Sequence, residues 1–202
     1  MAEFRPSLLA HDTVLLQRLA TVISGDARIH SADGSSVVGI IRTLDNVHRR
    51  AVLGNRTYAI CEPDGRVLCH LQDTVDLGAD RFRILAPDGT LLAQLRRRFD
   101  LLRLRVDIDT GSSMPYRMEA PALDVGVRLF RGEHPVARLT ETWPHPGRFL
   151  LAHRRYRAQM TPRMPTEDRL LTLGCFFAAE LMRTKWWRRL FPVDTLISLV
   201  SR

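Results

Sequence analysis

TEDRLLTLGCFFAAELMR, Thr166–Arg183, decides the fold. Its apolar residues (Leu170, Leu171, Leu173, Cys175, Phe176, Phe177, Leu181 and Met182) wrap most of the circumference of a helix instead of keeping to one stripe. A helix that is apolar nearly all round is enclosed by protein or by lipid. Gly174 and Glu180 interrupt the run, which falls short of the roughly 20 apolar residues a membrane span needs. Enclosure by protein is the remaining option, and the many short strand signals ahead of the helix make that enclosure a β-barrel. Pro162 and Pro165 end the strand pattern, Thr166 suits the cap, and Glu167 and Asp168 suit the positive end of the helix dipole. Arg183, Lys185, Arg188 and Arg189 suit its negative end.

Upstream, alternating apolar runs are joined through Asp-Gly in three clear copies: HSADGSSVVGI, YAICEPDGRVLCHL and FRILAPDGTLLAQL. VRLFRGEHPVARL is a looser fourth, turning at Arg131–Gly132. Asp-Gly between alternating hydrophobics signals a hairpin, because glycine accepts the positive φ of a tight turn. Phe82 and Ile84 point one way while Arg81, Arg83 and Leu85 point the other, the one-sided burial of a barrel wall. Strands are expected near 13–22, 26–31, 36–43, 47–53, 57–61, 66–72, 81–86, 91–96, 101–108, 115–119, 125–130, 135–141 and 148–157. The fold class is mainly β with one central helix: a closed antiparallel β-barrel of about 12 strands around a buried carboxy-terminal helix. One domain spans 1–202, with the helix near 166–183 and a tail at 190–202.

The 202 residues, 45% apolar and 26% charged, have the composition of an ordinary globular domain. No signal-peptide pattern or bilayer-spanning segment is present, so a cytoplasmic location, free or at the membrane periphery, is the expectation. Three cysteines make no disulfide framework. Cys61 and Cys69 flank the Asp64–Gly65 turn; a two-residue loop pairs Cys61 with Leu68, and a three-residue loop sets the two sulfurs opposite each other. The net charge of +8 is uneven: residues 148–189 hold ten basic residues against Glu167, Asp168 and Glu180. Such a surplus favours anionic partners, phospholipid headgroups or nucleic acid. Lys185 is the only lysine, however, and so strong an arginine bias can also arise from genomic base composition.

The successive xDGxxL hairpins, about a dozen strands and a late apolar helix resemble the tubby C-terminal-like superfamily, which includes LURP-one-related proteins and phospholipid scramblases. FRILAPDGTLLAQLRRRFDLLRLRVDI is similar to the central pair of LURP-one-related repeats, and DRLLTLGCFFAAELM (168–182) is placed like that family's central helix. The resemblance covers about residues 12 to 190 and implies a closed barrel enclosing one helix. For function it implies little, since members range from phosphoinositide binding to proposed lipid scrambling and many have no known activity. Scramblases carry an acidic calcium-binding segment before that helix, whereas RRYRAQMTPRMP (154–165) is basic, which argues against calcium-activated scrambling.

Three groups of residues are candidates for anion or lipid binding. Arg96, Arg98, Arg103 and Arg105, with Arg97, lie in LRRRFDLLRLR, where guanidinium forks suit phosphate. The alternative is a solvated outer face balanced by Asp100, Asp107 and Asp109. Trp186, Trp187, Arg188 and Arg189, with Lys185, combine indole rings with cations as an interfacial anchor does. The same combination suits single-stranded nucleic acid, and the two tryptophans suit equally a plug at the barrel mouth. Arg154, Arg155 and Arg157 in HRRYR face either an anion or open solvent. Asp107 and Asp109 resemble the start of a calcium loop, but Gly111 and Met118 occupy positions where ligands belong. No HExxH, zinc spacing, GxSxG, P-loop or GxGxxG appears, so no catalytic residue, metal or cofactor is assigned. Gly174, Ala178 and Ala179 either border a cavity or let strands approach the helix closely.

The expected function is therefore non-catalytic: a module binding anionic phospholipid at a membrane surface. An enzyme or small-ligand carrier using a cavity beside the helix is the alternative, and nucleic-acid binding through the basic surface is the third reading.

Overall fold

The computed structural model describes residues 7–17, 26–44, 56–74, 80–98, 100, 103–121, 126–142 and 155–190. Twelve strands run in chain order: β1 (Thr13–Gln17), β2 (Ala27–Ser31), β3 (Val37–Thr43), β4 (Arg56–Cys61), β5 (Val67–Thr74), β6 (Arg81–Leu85), β7 (Leu91–Arg98), β8 (Arg103–Asp109), β9 (Tyr116–Pro121), β10 (Val127–Arg131), β11 (His134–Thr142) and β12 (Arg155–Met160). A single α-helix comes after them, α1 (Thr166–Leu190). Every strand pairs antiparallel with its neighbours in sequence, and β1 pairs with β12 to close the barrel. The strand expected at 47–53 lies outside the described residues, as do 18–22 and 148–154 of two others. The last strand runs on to Met160 instead of ending at 157, and the helix runs on to Leu190 instead of ending near 183.

The pleat delivers the one-sided burial that the alternation requires. In β8, Leu104, Val106 and Ile108 are buried while Arg103, Arg105 and Asp109 are exposed; in β6, Phe82 and Ile84 are buried and Arg83 is exposed. The inward set packs on α1, where ten consecutive residues, Leu171 to Glu180, are all buried. Phe177 meets the Tyr58 ring of β4 edge-on at 5.1 Å. Gly174 faces Ile84 of β6, where a Cβ would come within 2.8 Å of the isoleucine Cδ1. The small residues of the helix thus serve close approach: Gly174 meets the wall directly, and Ala178 and Ala179 are wholly buried.

The Asp-Gly turns share one device. Asp33, Asp64 and Asp88 each accept the backbone N–H two residues on (Ser35, Arg66 and Thr90) at 3.1, 2.9 and 2.9 Å, and the glycine between takes φ of 76–92°. The Ser31 hydroxyl also donates to Asp33 at 2.6 Å, and these bonds hold that carboxyl down to about 2. All these turns, with Gly132 between β10 and β11, lie at the barrel end where α1 begins. The segment ahead of β1 covers that end: Leu8 is fully buried against Gly39, and its N–H donates to Glu62 at 3.0 Å.

Arg169 joins the helix to that segment. Its guanidinium donates to the carbonyls of Met164 and His11, each at 2.8 Å, and pairs with Asp12. Beside it, Asp168 accepts from the Tyr116 hydroxyl at 3.0 Å and pairs with Arg131 at 3.2 Å. Burial, reinforced by the Asp168 bond, pushes the Tyr116 phenol up to about 12.

Candidate functional site

The charge of the molecule is divided along the barrel axis. Asp12, the six connections at the turn end and the first helical turn together hold eight acids against Arg66, Arg163 and Arg169. The net positive charge of +8 therefore resides elsewhere, on the wall and on the last turns of the helix. The helix spans this axis. It starts at the turn end beside Tyr116, passes Ile84 and then Tyr58, and its 25 residues are about 37 Å long, more than the wall is high. Its last turns, with Lys185, Trp186, Trp187, Arg188 and Arg189, leave the barrel at the end away from the acidic turns. The backbone of these five residues is helical; their side chains, that of Arg155 and the whole of Arg154 lie outside the described part of the structure.

The β7–β8 candidates are exposed but partly neutralised. Arg98 pairs with Asp107, and Arg105 pairs with Glu119 at 3.3 Å, as the solvated-face reading anticipates for much of the cluster. Arg97 turns inward to Asp80 at 3.2 Å. Arg96 and Arg103 are exposed and have no acidic partner among the described residues. Surface pairs of this kind stabilise little and leave their arginines free to exchange partners.

Arg155 and Arg157 lie on β12, with three strands between them and β8, so the candidates do not form one cluster. The register supplies what lies between. Arg98, Arg105, Glu119, Arg128, Arg138 and Gln159 stand directly opposite one another in succession from β7 to β12. Arg128 and Arg138, both exposed, carry no signal in the sequence that marks them as a pair. Counting back from the Arg131/His134 pair puts Arg128 opposite Ala137; a bulge at Leu129/Phe130 brings Arg138 there instead.

Asp109 accepts the Gly111 N–H at 2.9 Å and Asp107 holds Arg98, so both acids have structural partners. Among the described residues no group of three or more His, Cys, Asp or Glu is placed to hold a metal ion. All three cysteines are free and buried. Cys61 stands opposite Val67, not Leu68 or Cys69, because a bulge at Ile60/Cys61 shifts the pairing. Burial pushes the Cys69 thiol up to about 12 and raises Cys61 and Cys175 as well, so none is a thiolate nucleophile at neutral pH. No described helix is long and apolar enough to cross a membrane. Compared with protein-family models, with curated proteins and with solved structures, the chain matches none.

Proposed function

We propose that the protein binds anionic phospholipid at a membrane surface, without catalysis and without a cofactor. The observation that carries this reading is the division of charge along the axis: an acidic turn end, and a far end where the last turns of the helix carry Lys185, Arg188 and Arg189 beside Trp186 and Trp187. An anionic bilayer attracts the second end and repels the first, so electrostatics alone orients the molecule. Arg154, Arg155 and Arg157 add charge around β12, and Arg96, Arg98, Arg103 and Arg105 add it on β7 and β8. The tubby C-terminal-like resemblance, with its LURP-one-related and scramblase-like members, supports the same reading, since a closed barrel around one helix is what it implies. Free buried thiols suit a reducing, cytoplasmic setting for such a peripheral protein.

Cosedimentation with vesicles tests this. The protein pellets with phosphatidylserine-containing vesicles at low salt, stays in solution with pure phosphatidylcholine, and is released as ionic strength rises. Each basic residue near the surface contributes about 1 kcal/mol, so R188Q/R189Q lowers partitioning about 30-fold. Equal pelleting with both vesicle types, or with neither, overturns the reading.

A further inference from the structure

A patch of arginines stands on the outer wall of the barrel, on β10, β11 and β12. Arg128 is directly opposite Arg138, Arg138 opposite Gln159, and Thr140 opposite Arg157. Residues so opposed have Cβ atoms about 5 Å apart, and their diagonals about 7–8 Å, within reach of long side chains. Arg138, Thr140, Gln159 and Arg157 therefore form a two-by-two polar block on the outer face, in which the Thr140 hydroxyl donates to the Arg157 carbonyl at 3.4 Å, with Arg128 beside it and no carboxylate within it.

The charges of this block are uncompensated. Arg128, Arg138 and Arg157 are exposed and have no acidic partner among the described residues. The neighbouring arginines differ: Arg98 has Asp107, Arg117 has Glu133 at 2.8 Å, and Arg131 has Asp168. The nearest acid across the sheet, Glu119 opposite Arg128, is held by Arg105 at 3.3 Å and Arg117 at 3.4 Å. Like charges directly opposed on one face of a sheet destabilise it. The Arg128/Arg138 pair thus stands as an unmet demand for negative charge.

We propose that Arg128, Arg138 and Arg157 form a binding site for a phosphate monoester, with Gln159 as a neutral donor. A monoester presents three terminal oxygens and close to two negative charges, which suits three guanidinium forks carried on three adjacent strands. A phosphodiester presents two free oxygens and one charge, and a carboxylate the same, so both fit less well. The group can belong to a soluble phosphorylated compound or to a lipid headgroup. The site does not rest on the lipid reading above, and only Arg157 is common to both.

Thermal unfolding in inorganic phosphate, against chloride of matched ionic strength, forms one arm of the test. Binding to vesicles of phosphatidic acid, against phosphatidylglycerol, forms the other. Phosphate raises the melting temperature of the parent protein, while R128Q and R138Q bind about tenfold more weakly and lose most of the shift. Both substitutions relieve the like-charge opposition, so both variants fold. R83Q, at an exposed arginine on β6, keeps the full response in both arms, which separates this site from general surface charge. A response in the first arm assigns a soluble ligand, and a response confined to phosphatidic acid assigns a headgroup. A response that R138Q leaves unchanged, or none in either arm, overturns the proposal.

Discussion

Phe176→Ala is expected to destabilise the protein by about 3–5 kcal/mol, near the upper end of what truncating one side chain does. Phe176 is fully buried in the middle of α1, among ten successive buried helical residues. Its ring fills space between the helix and a wall whose inward residues, among them Leu71, Ile84 and Leu95, have no exposure either. A closed barrel cannot collapse onto the void as an open sheet can, because each strand is held by pairing on both sides. The transfer loss is therefore augmented by an unrelieved cavity. Urea unfolding measures it. A cost under about 1 kcal/mol is incompatible with an enclosed helix, since an exposed phenylalanine costs no more than that to truncate.

Arg169→Met is expected to cost about 2–3 kcal/mol and to loosen one end of the barrel selectively. Its guanidinium is nearly buried and serves the carbonyls of Met164 and His11 together with the Asp12 carboxylate. Methionine keeps much of the packing volume but leaves two carbonyls without that donor. Asp12 is half exposed, so its carboxylate regains water and the loss stays below that of a fully buried pair. The damage falls on the segment ahead of β1, where Leu8 covers the barrel end against Gly39. Urea unfolding gives the total, and limited proteolysis within residues 7–12 gives the local effect, with R169M cleaved well before the parent protein. Equal cleavage of the two contradicts this role for Arg169.

The parts of the fold that are legible in the sequence are those fixed by local chemistry. Asp33-Gly34, Asp64-Gly65 and Asp88-Gly89 each turn the chain where expected, because the carboxylate and the positive φ act within four residues. The helix is legible because its apolar residues face every direction, which only enclosure satisfies. Its end is not. The apolar pattern stops near Met182, yet backbone hydrogen bonding continues through a basic stretch that suits the negative end of the dipole.

Register is illegible for a specific reason. Bulges at Ile29/His30, Ile60/Cys61, Ile84/Leu85 and Leu129/Phe130 each shift a hairpin by a residue near its turn. Counting outward from the turn therefore mispairs the residues beyond the bulge. The Arg128/Arg138 opposition is hidden for this reason, and Cys61, on the turn side of its bulge, meets Val67 instead of the Leu68 that the Ile60/Cys69 register would give it. The balance of charge on β7 and β8 is half legible. Asp107 compensates that face as expected, through Arg98, whereas Glu119 reaches Arg105 only because β9 lies alongside β8.

Under the proposed function the last turns of the helix are the part that meets an anionic bilayer, and Trp186 and Trp187 report on it directly. The most direct measurement is tryptophan emission titrated with anionic and with neutral vesicles, at low and at high salt. A blue shift is expected with anionic lipid alone, weakened by salt and abolished when Trp186 and Trp187 are both replaced by alanine. Unchanged emission in the presence of anionic vesicles, at low salt, contradicts it.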